Sequence, residues 1–146
     1  HAATDRLRDR LVPVNRAHPL KQVVAAGRRY AQLTGRRLSF EWCLIGGVND
    51  ADDQAVGLRR LALDAAAHVN VIPMNRIQGS EWGPPPPERA RRFLMQLQGV
   101  TVTVRDTRGA EADAACGQLR AALEARRELG PDGRLGPMRR VAPVAT

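Results

Sequence analysis

One pattern constrains this chain more than any other: helical and strand periodicities alternate along its length. From Pro19 to Thr34 the residues Leu20, Val23, Val24, Gly27, Tyr30 and Ala31 recur at helical spacing, and Gly35 supplies the stop. A short polar helix, Thr4 to Arg10, precedes this one and ends before Pro13. Arg37 to Ile45 then switches to period two. Leu38, Phe40, Trp42 and Leu44 share one face, and Ser39, Glu41 and Cys43 share the other. Gly46-Gly47 breaks the strand, and Asn49 or Asp50 stands where a helix cap is needed. The helix that follows reaches about Ala67, with Ala55, Leu58, Ala62 and Ala65 on its buried side. The order then repeats. A strand over His68 to Met74, a Gly- and Pro-rich loop and a helix from Pro87 to Gln98 lead to a β-branched strand over Val100 to Val104. A last loop, Arg105 to Gly117, precedes an Ala-rich helix from about Gln118 to Leu129.

Helices alternating with strands predict an α/β fold whose strands are parallel and joined by crossover helices. Three strands, near 37–45, 68–75 and 100–105, are too few to close a barrel. The expectation is therefore half of a (β/α) barrel with its helices on one side. In such folds the chemistry sits at the C-terminal ends of the strands. Here those ends carry the loops Gly46 to Asp50, Asn75 to Pro87 and Arg105 to Gly117. Glu41 and Cys43, on the polar face of the first strand, are the candidates to point toward a lumen. Residues 1–129 form one domain on this reading, and 130–146, rich in Gly, Pro and Arg without a period, a disordered basic tail.

A length of 146 residues suits one domain, and His1 in place of Met predicts a piece cut from a longer chain. Pro and charge interrupt every apolar run before it could cross a bilayer. Two cysteines, Cys43 and Cys116, are too few and too distant for a disulfide-stapled secreted fold, which points to the cytoplasm. With no CxxC, no HExxH and no clustered His, this chain alone cannot fully ligate zinc or an iron–sulfur cluster. The net charge is +8, and Lys21 is the only lysine, so the basic residues are nearly all Arg. Arginine suits bidentate contact with phosphate, and a basic surface draws nucleic acid through counterion release. Arg and Ala enrichment from a GC-rich genome explains the same composition, so charge alone leaves both sources open.

Four blocks carry more information than composition: HAATDRLRDRLVPVNR, SFEWCLIGGVND, HVNVIPMN and VTVRDTRGAEADAACGQL. In this order they resemble the C-terminal half of the bacterial adenine-C2 RNA methyltransferases, which are radical S-adenosylmethionine enzymes. The resemblance covers roughly residues 1 to 119, and the run RG-x-E-x-D-x-x-CGQL is its most specific part. It implies the C-terminal half of a partial barrel of the radical S-adenosylmethionine type. The activity it implies is methylation of adenine C2 in 23S rRNA and tRNA. The implied cofactors are S-adenosylmethionine and a [4Fe–4S] cluster, the latter ligated by a CxxxCxxC motif lying before His1. It further implies a monomer, with a reductant protein such as flavodoxin or ferredoxin, and a fragment that is inactive alone.

Residue by residue, the resemblance makes Cys116 the sulfur that takes a methyl group from S-adenosylmethionine before the methyl reaches adenine. The alternative role for a free cysteine, a small buried hydrophobe, leaves the enclosing block unexplained. Asn75, closing the IP-x-N block, is implied as a cofactor contact, its carboxamide offering both donor and acceptor. Arg76 stands where the family usually has Pro. His1 matches a histidine at a strand end in the same pocket. Cys43 stands where the family usually has an apolar residue and is expected to be a packed strand residue. Trp42 falls on the apolar face and is expected in the core, whereas Trp82, in a loop at the catalytic end, is open to RNA contact. The pairs Arg28-Arg29, Arg36-Arg37, Arg91-Arg92 and Arg126-Arg127 are expected on solvated faces. Three rivals stay open: an adenine-C8 rRNA methyltransferase using the same cysteine chemistry, a non-catalytic RNA-binding module, and a half-barrel metabolic enzyme.

Overall fold

The computed structural model describes residues 1–76 and 79–105, all within one compact unit. Cys116, the helix expected at 118–129 and the tail 130–146 lie outside the described residues. The elements run α1 (Asp5–Leu11), a 3₁₀ turn (Pro13–Arg16), α2 (Leu20–Thr34), β1 (Ser39–Leu44), α3 (Asp52–Asp64), β2 (His68–Pro73), α4 (Pro87–Met95) and β3 (Val102–Val104). The three strands form one sheet in the order β1-β2-β3, parallel throughout. Ser39 pairs with His68 and Leu44 with Pro73, while Val69 pairs with Val102. The ladder runs past the strand ends, where Met74 N–H donates to Leu44 O and Arg105 N–H to Val71 O.

Period-two alternation decides which face of the sheet is buried. Trp42 and Leu44 of β1 and Val69 and Val71 of β2 pack against Ala55, Leu58 and Ala62 of α3 and Phe93 and Leu97 of the α4 segment. Trp42 and Phe93 stack at 5.7 Å between ring centres, a tilted pair within the favourable range for aromatics. Helix α2 covers the same face further along, with Val24 beside Ala65, Ala67, Leu38 and Phe40. The opposite face carries Ser39, Glu41, His68, Asn70 and Thr103, and no helix among the described residues packs on it. The expected half-barrel, with helices on one side, is the architecture observed.

Local rules set most of the boundaries. Thr4 caps α1, its hydroxyl accepting from Leu7 N–H. Gly35 ends α2 in the left-handed region, at φ 67°, and its N–H returns to Ala31 O. The N-terminus of α2 follows Pro19, which offers no side-chain cap. The carboxylate of Asp5, from α1, supplies one by accepting from Leu20 N–H at 2.8 Å. Asn15, buried in the 3₁₀ turn, locks that corner by donating to both Asp5 and Asp9 and accepting from Arg8. The accepted bonds hold the Asp5 carboxyl below the usual carboxylate range, first through Leu20 N–H and then through Asn15.

Two expectations need correction. Neither Asn49 nor Asp50 caps α3: its cap position is Ala51, which makes no side-chain bond. Both polar side chains bond elsewhere instead, Asn49 to Ile45 N–H, Cys43 O and His1 O, and Asp50 to Gly47 N–H. Helix α4 and strand β3 are also shorter than expected, because Gln96 to Val100 turns between them, with Leu97 N–H on Leu94 O and Val100 N–H on Leu97 O.

Candidate active-site edge

The C-terminal edge of the sheet is built by the loops after β1 and β2 and by the segment at His1. The β1–α3 loop is the most constrained of these. Asn49, fully buried, accepts from Ile45 N–H at 2.7 Å and donates to Cys43 O at 2.7 Å and His1 O at 2.8 Å. Asp50, also buried, accepts from Gly47 N–H through one oxygen, and Arg89 of α4 stands 3.5 Å from the other. This loop abuts the one after β2: Gly46 N–H donates to Gly83 O at 2.9 Å. A Cβ on Gly46 would lie 2.9 Å from Pro84 O and 3.0 Å from Pro85 Cα, both backbone atoms, so only glycine fits there.

His1 lies along β1. Its main-chain nitrogen stands 3.5 Å from Glu41 O, and its Nδ1 accepts from Cys43 N–H at 2.9 Å. A cavity of about 180 Å³ beside it is lined in part by His1, Arg8, Val23 and Glu41. Asn75 follows β2 by two residues and is half-buried, at the edge that His1 and Asn49 also occupy. The structure therefore brings His1 and the end of β1 into direct contact and puts Asn75 at the neighbouring strand end. Trp82 is half-buried in the loop after β2, its main-chain N–H donating to Ser80 Oγ.

Below this edge, the open face of the sheet carries a polar ladder that sequence reasoning finds only in part. Asn70 donates to Glu41 at 2.7 Å across β2 and β1. His68 bridges Ser39, at 3.2 Å, and Thr103, at 2.8 Å, across all three strands. Glu41 is legible from strand parity; its partners depend on register, which parity does not give.

Cys43 is half-buried, and burial pushes its thiol up from the ordinary range. It therefore stays protonated at neutral pH. Alkylation of the folded protein by iodoacetamide near pH 7.5 is expected to be slower at Cys43 than in the same peptide after urea denaturation. Equal rates would show an accessible, reactive thiol. Among the described residues, no group of three or more His, Cys, Asp or Glu could hold a metal ion. An iron–sulfur cluster thus has no ligand set among them. Part of the arginine charge is consumed internally: Arg28 pairs with Asp64 at 2.9 Å, and Arg92 grips Asp52 with two nitrogens. No helix among the described residues is long and apolar enough to cross a membrane.

A parallel β/α half-barrel with polar groups at the C-terminal strand edge is an architecture many enzymes share, and comparison with solved structures narrows it to the radical S-adenosylmethionine class. The chain superposes on a radical SAM methyltransferase from Sphaerobacter thermophilus with a TM-score of 0.75 and 48% identity, over 81% of this chain and 35% of that one. A domain of a pyruvate-formate lyase-activating enzyme from Bacteroides vulgatus shares the fold at a TM-score of 0.54 and 17% identity, over 70% of this chain and 61% of that one. No known family profile matches the chain. Individual relatives narrow the class. A probable dual-specificity RNA methyltransferase RlmN from Moorella thermoacetica is 51% identical over 84% of this chain and 35% of its own length. The protein of that name from Parafrankia sp. is 48% identical over 89% of this chain and 34% of its own length. The chain belongs to this family of radical SAM RNA methyltransferases and spans about a third of the length of the curated relatives it matches.

Proposed function

We propose that this chain is the C-terminal third of a cytoplasmic enzyme that methylates C2 of an adenine in 23S rRNA and in tRNA. The observation carrying the reading is identity near one half, over more than four-fifths of the chain, to proteins named as dual-specificity RNA methyltransferases. The sequence run around Cys116 and the polar strand edge support it.

Adenine C2 is electrophilic and carries no acidic proton, so direct delivery of a methyl cation to that carbon fails. Cys116 answers this need as a nucleophile outside the base: its thiolate would take the methyl group from a sulfonium, whose sulfur leaves as a neutral thioether, and hold it as an S-methyl thioether. S-adenosylmethionine supplies the methyl group and, with a [4Fe–4S] cluster ligated by sequence preceding His1, the hydrogen-abstracting radical. This chain's other residues bind and orient. The carboxamide of Asn75 suits the carboxylate and ammonium of the cofactor's amino-acid end, since it both donates and accepts. His1 contributes a ring nitrogen to the same pocket. On this reading the remaining arginines steer RNA phosphates toward the edge, and Trp82, in the loop after β2, is open to contact with a base. A monomer served by a flavodoxin- or ferredoxin-like reductant completes the reading.

Reaction of the full-length, cluster-reconstituted enzyme with a 23S rRNA fragment and with tRNA tests this. Nucleoside mass spectrometry against standards is expected to show 2-methyladenosine from both RNAs. Formation of 8-methyladenosine would move the protein to the C8 enzymes. RNA binding with no methylation would make it a binding module.

A further inference from the structure

The β1–α3 loop contains one group whose bonding is more specific than packing requires. Asn49 must supply one acceptor and two donors from a single buried plane, and it does so to three separate points: Ile45 N–H, Cys43 O and His1 O. Carboxamide is the one common side chain of this size that can. Aspartate at neutral pH cannot donate, and an apolar residue would orphan all three backbone groups. Two of the three points belong to the loop's own junction with β1. The third is 48 positions away and belongs to a residue at the free edge of the sheet.

That third bond fixes more than a carbonyl. With His1 O held by Asn49, the imidazole reaches back along β1 and accepts Cys43 N–H on Nδ1, replacing the main-chain acceptor that a neighbouring strand would provide. An Nδ1 that accepts must be unprotonated, so in the neutral ring the proton is on Nε2. His1 is thereby set, in both position and tautomer, to offer an N–H donor. A histidine free to rotate would present either nitrogen.

We propose that Asn49 is a positioning residue for the cofactor pocket: it clamps His1 to the end of β1 so that Nε2–H is offered to a hydrogen-bond acceptor on S-adenosylmethionine. The inference rests on the reading of His1 as a cofactor contact and adds to it the group that makes the contact specific. Asn49 itself touches no cofactor. Its influence passes entirely through His1, and this separates it from a residue that merely stabilises the loop. Loss of loop stability would weaken folding without making the histidine irrelevant.

A double-mutant cycle on the full-length enzyme reads this difference, with the Kd for S-adenosylmethionine measured by equilibrium dialysis. Asn49→Ala and His1→Ala are each expected to weaken binding about tenfold, equivalent to about 1.4 kcal/mol. The double variant is expected to be weaker than wild type by about the same factor, because the clamp has no effect once its histidine is gone. Effects that multiply to about a hundredfold would overturn the proposal, as would an Asn49→Ala protein with wild-type Kd. Should Asn49→Ala not fold, Asn49→Ser runs the same cycle. The wild-type protein gives an independent answer through ¹⁵N-histidine NMR of the cluster-free form: His1 with its proton on Nδ1 would also overturn it. Failure of the underlying reading has a different signature, since His1→Ala would then bind S-adenosylmethionine as wild type does.

Discussion

The Cys116→Ala variant of the full-length enzyme is expected to lose adenine methylation completely, a drop of at least about three orders of magnitude given what removal of a catalytic nucleophile costs. The expectation follows from the division of labour proposed above. Sulfur is the atom that accepts the methyl group by displacement, and the neighbouring side chains in the run from Arg105 to Gly117 are Arg, Asp, Thr, Glu, Gly and Ala, with no second thiol. An unperturbed thiol with a pKa of about 8.5 is only a few per cent thiolate at neutral pH, yet that fraction is far more nucleophilic than any carboxylate or hydroxyl nearby. Serine at the same position should be nearly as inactive. The parked methyl is a stable thioether, so peptide mass spectrometry after growth on isotopically labelled methionine should find the label on Cys116 of the wild-type enzyme. An active Cys116→Ala enzyme, together with an unlabelled Cys116, would overturn the mechanism. Cys43→Ala serves as the control. It removes the chain's other thiol from a half-buried strand position and should leave activity near that of the wild type.

How much of this was legible in the sequence depends on the range of the interactions. Strand parity identified Trp42 and Leu44 as core and Glu41 and Cys43 as the opposite face, because alternation across a pleated sheet is a purely local property. Gly35 as a helix stop and Pro87 as a helix start were equally local. What could not be read were partners brought together across many positions. Asp5 caps a helix that begins fifteen residues later, and His68 joins Ser39 to Thr103 across 29 and 35 residues. The expected cap at Asn49 fails for the same reason. Asn followed by Asp before an apolar-periodic segment has the composition of a helix cap, and local rules place a cap-like residue there. Those rules fail because a stronger demand exists nearby. Three backbone groups converge at the end of β1, two within six residues and one 48 away, and the carboxamide satisfies them all. The same long-range contact exposes His1 as part of the strand edge. The resemblance had implied that residue, and neither spacing nor composition could have supplied it.

Trp42→Ala is expected to be the most destabilising single substitution among the described residues, costing about 3–5 kcal/mol, the range seen when a large buried aromatic is cut to alanine. Trp42 is 2% exposed, lies on the buried face of the edge strand β1 between Val71 in register on β2 and Phe93 on α4, and joins both to α3. Its removal leaves a void bordered by three elements, and Phe93 cannot close it without pulling α4 from its place. Trp42→Phe discriminates between two contributions. The smaller ring forfeits part of the packing, but it also removes an indole Nε1–H that is buried without a hydrogen-bond partner. An unsatisfied buried donor costs about 1–3 kcal/mol, comparable with the packing energy the smaller ring gives up. The phenylalanine variant should therefore lie within about 1.5 kcal/mol of wild type, far above the alanine variant. Urea unfolding of the 146-residue chain, followed by far-ultraviolet circular dichroism, measures both. Two variants of equal stability would show that ring packing is not what holds β1 against its helices. A phenylalanine variant more stable than wild type would show that the orphaned indole donor outweighs the volume it fills. With β1 loosened in the alanine variant, the clamp on His1 at its C-terminal end should fail at lower urea than in wild type, since the strand carrying Cys43 and leading into Ile45 is the one Trp42 anchors.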